Sequence, residues 1–184
     1  HFLSGSPDKS IKLWEMDTGR EIRTYNIKAP FNDIVISPDG AYAVLTAGSE
    51  STLKLWDIRK AEVKKTLKGH TGKIYKTSIS SDSKYILSSS DDESVKIWES
   101  ATGREIRSFT DSVFALAFSP DGKYAAFGKS AGEGEGSTEI FEIATGNKVR
   151  SFSCADSSCW DKKVVFSPDG RYILTASEIF KHGA

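Results

Sequence analysis

The chain has 184 residues, with 25 basic and 25 acidic side chains and a formal net charge of zero. That balance leaves no electrostatic footprint for a phosphate backbone, so nucleic acid is not expected as a primary partner. No apolar stretch approaches the roughly 20 residues that cross a bilayer, so no membrane partner is expected either.

In chain order, Phe2-Leu3-Ser4 reads as a short strand, followed by Ile11-Lys12-Leu13-Trp14-Glu15 and Gly19-Arg20-Glu21-Ile22-Arg23-Thr24-Tyr25. The turn Ser37-Pro38-Asp39-Gly40 leads into Tyr42-Ala43-Val44-Leu45 and Leu53-Lys54-Leu55-Trp56-Asp57. A fuller unit follows, with strands expected at Ile74–Ser80, Tyr85–Ser90, Ser94–Trp98 and Arg104–Phe109. The next turn, Ser119-Pro120-Asp121-Gly122, precedes Tyr124-Ala125-Ala126-Phe127, Ile140-Phe141-Glu142 and Gly146–Phe152. A last turn, Ser167-Pro168-Asp169-Gly170, opens onto Tyr172-Ile173-Leu174.

These segments repeat. Trp14, Trp56, Trp98 and Phe141 recur at intervals of 42, 42 and 43 residues. A fixed period of that size signals an array of equal units, each too small to bury a core alone. The runs are short, rich in Val, Ile, Tyr and Phe, and bounded by Gly, Pro, Asp and Ser, as strands are. Along Leu53-Lys54-Leu55-Trp56 the leucines fall on one face and lysine and tryptophan on the other. Each unit therefore predicts four antiparallel strands, a to d in chain order. The fold class expected is all-β: a β-propeller of four-stranded blades, about four of them plus partial blades at the ends.

On these motifs the chain resembles the WD-repeat family along essentially its whole length. Of the four periodic anchors only Trp56 is followed by the aspartate of the namesake dipeptide, with Glu15, Glu99 and Glu142 replacing it elsewhere, and only Gly69-His70 carries the Gly-His marker. The close internal similarity and the Gly-Arg-Glu-Ile-Arg repeats are similar in style to bacterial members. The resemblance implies a buried hydrogen-bond chain, which would fall on His70, Ser88, Asp92 and Trp98. The imidazole can donate to the carboxylate and accept from the hydroxyl, which in turn accepts from the indole N–H. The Trp14 unit keeps Ser4 and Asp8 at matching offsets, the Trp56 unit offers Glu50, and Phe141 has no N–H to donate. One complete network and several degraded ones are expected. His, Ser and Asp together also suggest a hydrolase triad. Their blade spacing favours the structural reading, and no Gly-x-Ser-x-Gly elbow supports a nucleophile.

Blade limits are expected at 30–68, 70–110 and 112–153, with partial blades at 1–26 and 160–184. The phase of the strands at both ends suggests a segment of a longer propeller, hence an open or incomplete ring whose unpaired edges favour self-association. The rival is a compact ring of about five blades closed by the two remnants.

Three further features have alternative readings. Cys154 and Cys159 are a loop disulfide, a pair of metal ligands, or two thiols of a reducing, cytoplasmic compartment; the last is preferred, and four convergent metal ligands are lacking. Lys60, Lys64, Lys65 and Lys68 read as a solvated outer edge protected against strand addition rather than as a basic binding face. The stretch 131–137 reads as a tolerated insertion in a tight turn rather than as a site for a cation or basic partner.

The resemblance implies a rigid platform that binds a protein or peptide at its narrower rim and channel mouth. Matched by spacing, the rim positions are Asn32, Lys73, Tyr75, Asp91, Ser112, Phe114 and Trp160. Tyr75 and Phe114 occupy equivalent places in successive blades and are candidate anchors; the alternative, that they only fill the channel wall, stays open. Ile36, Phe118 and Phe166 are expected in the core. No catalytic residue, cofactor or metal is expected, because no phosphate loop, cofactor motif or separate chemistry-bearing domain occurs. The competing class is the recognition or regulatory propeller of a larger enzyme or signalling protein.

Overall fold

A computed structural model of the chain describes residues 2–6, 8–26, 31–47, 50–110, 113–129, 137–153 and 159–179. Every regular element among them is a β-strand, and the strands form five separate antiparallel sheets. The first holds β1 (Phe2–Gly5), β2 (Ser10–Trp14) and β3 (Glu21–Asn26). The second runs β4 (Phe31–Ile36), β5 (Tyr42–Ala47), β6 (Thr52–Asp57) and β7 (Glu62–Lys68). The third runs β8 (Ile74–Ile79), β9 (Tyr85–Ser90), β10 (Ser94–Glu99) and β11 (Glu105–Thr110). The fourth runs β12 (Val113–Phe118), β13 (Tyr124–Lys129), β14 (Ser137–Glu142) and β15 (Lys148–Ser153). The fifth pairs β16 (Cys159–Phe166) with β17 (Ile173–Ile179). No strand pairing joins the first and fifth sheets among the described residues, so the propeller is open and the compact five-blade ring is not formed.

Two turn chemistries shape each blade. Between strands a and b, the Ser37 hydroxyl donates to Asp39 Oδ1 at 2.6 Å, and the same oxygen receives Ala41 N–H at 3.0 Å. Ser80–Asp82, Ser119–Asp121 and Ser167–Asp169 repeat the side-chain bond at 2.7, 2.6 and 2.5 Å. A short aspartate bonding its own backbone two residues on is the mechanism of such turns. Between strands c and d, Thr18, Thr102 and Thr145 donate to Glu15, Glu99 and Glu142 at 2.5–2.6 Å. The second blade carries Asp57 there, which instead accepts Lys60 N–H at 2.9 Å. Glutamate and aspartate therefore both close this turn, by different bonds.

The core is a series of layers between neighbouring sheets. Leu53 and Leu55 face the third sheet, packing with Ile74, Ile86 and Trp98, while Trp56 on the other face packs with Ile11, Leu13 and Tyr25 of the first. Leu87, Val95 and Ile97 meet Val113, Ala125 and Phe127 in the next layer, and Ala115, Ala126 and Ile140 meet Val164 in the last. Fully burying one such side chain contributes roughly 1.5–3 kcal/mol. Ile36, Phe118 and Phe166 pack against these layers but are only half-buried, because the a-strand ends where they sit reach the sheet margin.

Strands β4, β8, β12 and β16 lie innermost and neighbour one another in chain order. Each carries a bulge at which the cross-strand register steps over one residue: Asn32, Tyr75, Phe114 and Lys162. A second bulge falls on strand d of the first four sheets, at Ile22, Lys64, Ile106 and Val149. Outer bulges twist a free edge away from further pairing, and inner ones re-aim a side chain.

Candidate binding rim and its hydrogen-bonded support

The loop before β8 and the turn between β9 and β10 bring His70, Ser88, Asp92 and Trp98 together. Trp98 Nε1–H donates to Ser88 Oγ at 2.8 Å, and Ser88 Oγ lies 2.7 Å from His70 Nε2. His70 Nδ1 lies 2.9 Å from Asp92 Oδ2. Asp92 also accepts Thr71 N–H at 2.8 Å and the Ser94 hydroxyl at 2.6 Å. Burial pushes the imidazole below its ordinary range, outweighing the opposing pull of Asp92, so the ring is neutral. Partial burial pushes the Asp92 carboxyl up, but the bonds from Ser94, Thr71 and His70 prevail and hold it well below the usual carboxylate range. One proton arrangement satisfies every group: indole N–H to hydroxyl, hydroxyl to Nε2, and Nδ1–H to carboxylate. Ser88 is fully buried, so its hydroxyl cannot meet a substrate as a triad nucleophile would. Close approach is required nearby. A Cβ at Gly72 would stand 2.6 Å from the backbone nitrogen of Asp92.

The other blades hold fragments of this arrangement. Trp14 Nε1–H donates to Ser4 Oγ at 2.7 Å, and Asp8 accepts Ser10 N–H at 2.8 Å. Trp56 meets Tyr25 edge-on at 4.2 Å between ring centroids, while Glu50 pairs with Lys54 at 2.8 Å. Phe141 stacks on Phe127 at 5.0 Å.

At the rim, Tyr75 and Phe114 stack across two blades, with ring centroids 6.3 Å apart and planes 29° from parallel. Both rings are half-buried. The Tyr75 hydroxyl donates to Asp91, a bond that raises the phenol above its ordinary range. The Lys73 ammonium lies 5.6 Å from the Tyr75 ring centroid. Asn32 Nδ2–H donates to the Ile74 carbonyl at 3.2 Å, tying β4 to β8. Ser112, Cys154 and residues 131–136 lie outside the described residues, as do the side chains of Cys159 and Trp160. Trp160 lies on β16 two residues before the bulge at Lys162, as Lys73 lies before Tyr75.

Two devices escaped sequence reasoning. Asp33 Oδ2 accepts both Thr77 N–H at 2.7 Å and the Thr77 hydroxyl at 3.0 Å, so one blade's carboxylate satisfies the next blade's inner strand. On the outer strands, Arg23 donates to the Arg59 carbonyl at 3.2 Å and Arg107 to the Ala144 carbonyl at 3.0 Å. Lys65 donates to the Ala101 carbonyl in the same way. Each cation thus clasps the c–d turn of the following blade. The repeat of Arg23 and Arg107 within the Gly-Arg-Glu-Ile-Arg segments was the available signal.

Comparison with known proteins agrees with this architecture. A family model described as WD domain, G-beta repeat matches residues 19–57, 61–99 and 103–134. The serine-threonine kinase receptor-associated protein of Mus musculus is 33% identical over 123 residues, 65% of this chain and 35% of that protein. Nuclear distribution protein PAC1 of Arthroderma otae is 32% identical over 149 residues, 66% of this chain and 32% of that protein. Autophagy-related protein 16 of Arabidopsis thaliana is 28% identical over 124 residues, 65% of this chain and 24% of that protein. The chain therefore spans about a third or less of the curated relatives it matches. With three matched repeats over more than half its length, each laid out as antiparallel sheet around a shared inner edge, the chain belongs to the WD40 repeat family.

Proposed function

We propose that this chain is a non-catalytic interaction scaffold that binds a protein or peptide through its rim and channel mouth. The observation that carries the reading is the Tyr75–Phe114 stack, built at the bulges of two neighbouring inner strands. Rigid aromatics held by a scaffold lose little entropy on binding and often supply most of the energy. Asn32, Lys73 and Asp91 surround that pair, and His70, Ser88, Asp92 and Trp98 stiffen the blade beneath. Ser112 and Trp160 complete the rim set by sequence position. A recognition segment within a larger enzyme or signalling protein would use the same surface, a reading favoured by the greater length of the relatives.

Replacing Tyr75 and Phe114 together by alanine is expected to abolish binding of rim-directed peptides on an array while leaving the melting temperature unchanged. A variant that melts lower yet binds normally would assign the rings to wall-filling and overturn the proposal. Self-association through blade edges is a second reading, favoured by Tyr172, just before β17, and Leu174 within it, 66% and 70% exposed. Sedimentation of the chain across a concentration series tests it: a monomer throughout would reject it.

A further inference from the structure

The inner strands place one residue each at successive levels of the channel. Directly inside the bulges, that level reads Asp33, Lys76, Ala115 and Lys163 on β4, β8, β12 and β16. Asp33, Lys76, Phe114, Ala115 and Lys163 line one cavity of about 400 Å³. Because β12 sits between β8 and β16, the small Ala115 forms a recess with a lysine strand on either side. Phe114, stacked on Tyr75, borders the same recess.

The charges in this recess are unequal. Asp33 contributes one negative charge against the two lysines, with its Oδ2 turned to the N–H and hydroxyl of Thr77. Lys76 and Lys163 are exposed, and neither makes an ion pair among the described residues, whereas Lys12, Lys54, Lys96, Lys129 and Lys148 all do. Lys73 adds a third cation beside Tyr75. Among the described side chains, the turn after β9 adds two acids to this mouth, Asp91 and Glu93, with Asp91 held by the Tyr75 hydroxyl.

We infer that the channel mouth is specific for an acidic peptide segment, whose carboxylate enters the Ala115 recess between Lys76 and Lys163 while an adjoining apolar side chain lies on the Tyr75–Phe114 stack. This rests on the scaffold reading above and adds the class of partner. Two ammonium groups flanking a recess attract a carboxylate, and complementary charge governs which partner is accepted more than how tightly it is held. An outward-facing Asp91 and Glu93 disfavour acidic residues beyond the anchor, so the segment requires one or two acids rather than a polyanionic run.

The test uses the whole chain and three fluorescein-labelled peptides of one length: Gly-Ser-Glu-Phe-Glu-Ser-Gly, its Gln-Phe-Gln counterpart and its Lys-Phe-Lys counterpart, with a thymidine decamer as a polyanion. Polarisation is expected to rank the acidic peptide first, with binding weakened about tenfold by Lys76→Glu/Lys163→Glu and unchanged by Lys64→Glu/Lys68→Glu on the outer strand. Equal binding of the three peptides, all lost in Tyr75→Ala/Phe114→Ala, would overturn the acidic specificity and leave the scaffold reading standing. Preference for the basic peptide, or tighter binding of the decamer, would overturn it likewise. Failure of every peptide to bind would remove both.

Discussion

The third and fourth sheets share strand order, inner and outer bulges and turn chemistry, yet they fill their centres differently. The third holds its anchor Trp98 by a polar chain ending at Asp92. The fourth replaces that chain with rings: Phe141 lies 5.0 Å from Phe127 and 4.9 Å from Phe109 of the preceding sheet. Their cross-strand ion pairs are also exchanged. Lys96 pairs with Glu105 at 3.0 Å in one sheet, and Glu139 pairs with Lys148 at 2.8 Å at the matching positions of the other. Blade geometry is thus set by turns and register, while the interior accepts either a hydrogen-bonded or an aromatic solution.

The difference in kind implies a difference in size when each centre is broken. Phe127 is fully buried, and Phe127→Ala is expected to destabilise the chain by about 3–5 kcal/mol, through lost transfer energy and a residual cavity. Asp92→Ala leaves four donors, the His70 ring, the Thr71 N–H and the Ser94 N–H and hydroxyl, to find other partners. Since Asp92 borders solvent, water can replace some of them, and the expected loss is about 2–3 kcal/mol. Urea unfolding of both variants ranks them. The polar chain would prove the more demanding centre if Asp92→Ala cost more than Phe127→Ala.

Most of this organisation was legible before any coordinates, because periodicity is a property of the sequence. The tryptophan interval and the Ser-Pro-Asp-Gly turns located the blades, and His70, Ser88 and Asp92 stand at offsets that the resemblance could be read onto. Asp33 was not legible, since its partner Thr77 lies in another blade and no local motif requires an acid there. The bulges were equally hidden: an extra residue in an a strand leaves no mark on alternation short enough to read. Hence Tyr75 and Phe114 could be matched to each other by spacing, but not to Lys162, which occupies the same register position.

Acid should separate the two sheets by pH window. His70 is depressed from 6.5 by burial, so the unfolded chain takes up that proton first. Stability then falls as the pH drops below about 6.5 and keeps falling until the folded value is reached. Burial raises Glu139, but Lys129 and Lys148 hold it below 4.5, and Asp92 lies below 3.8. Those two contributions persist above the carboxylate range and are lost only as the pH falls further. Between pH 7.5 and 5.5 the melting temperature of the wild type should drop, and His70→Gln should drop less from its lower start. His1 and His182 are common to both chains, so parallel curves would remove His70 as the source.

The smallest effect tests the shared feature rather than the contrast. At the c–d turn, three blades place glycine at positive φ, with Gly19, Gly103 and Gly146 at 67°, 78° and 77°. The second blade places Ala61 there, at 62°, where a Cβ crowds the backbone. Its turn still closes, because Asp57 accepts Lys60 N–H and the Asp57 carbonyl accepts Ala61 N–H at 2.9 Å. Relieving the strain outweighs the added freedom of glycine in the unfolded chain, so Ala61→Gly should stabilise by about 0.5–1 kcal/mol. The same urea series that ranks Phe127→Ala and Asp92→Ala reads it as a higher midpoint at unchanged slope. A lower midpoint would mean that the second blade holds its turn by packing of the Ala61 methyl against the first-blade layer, and that turn geometry alone does not define a blade.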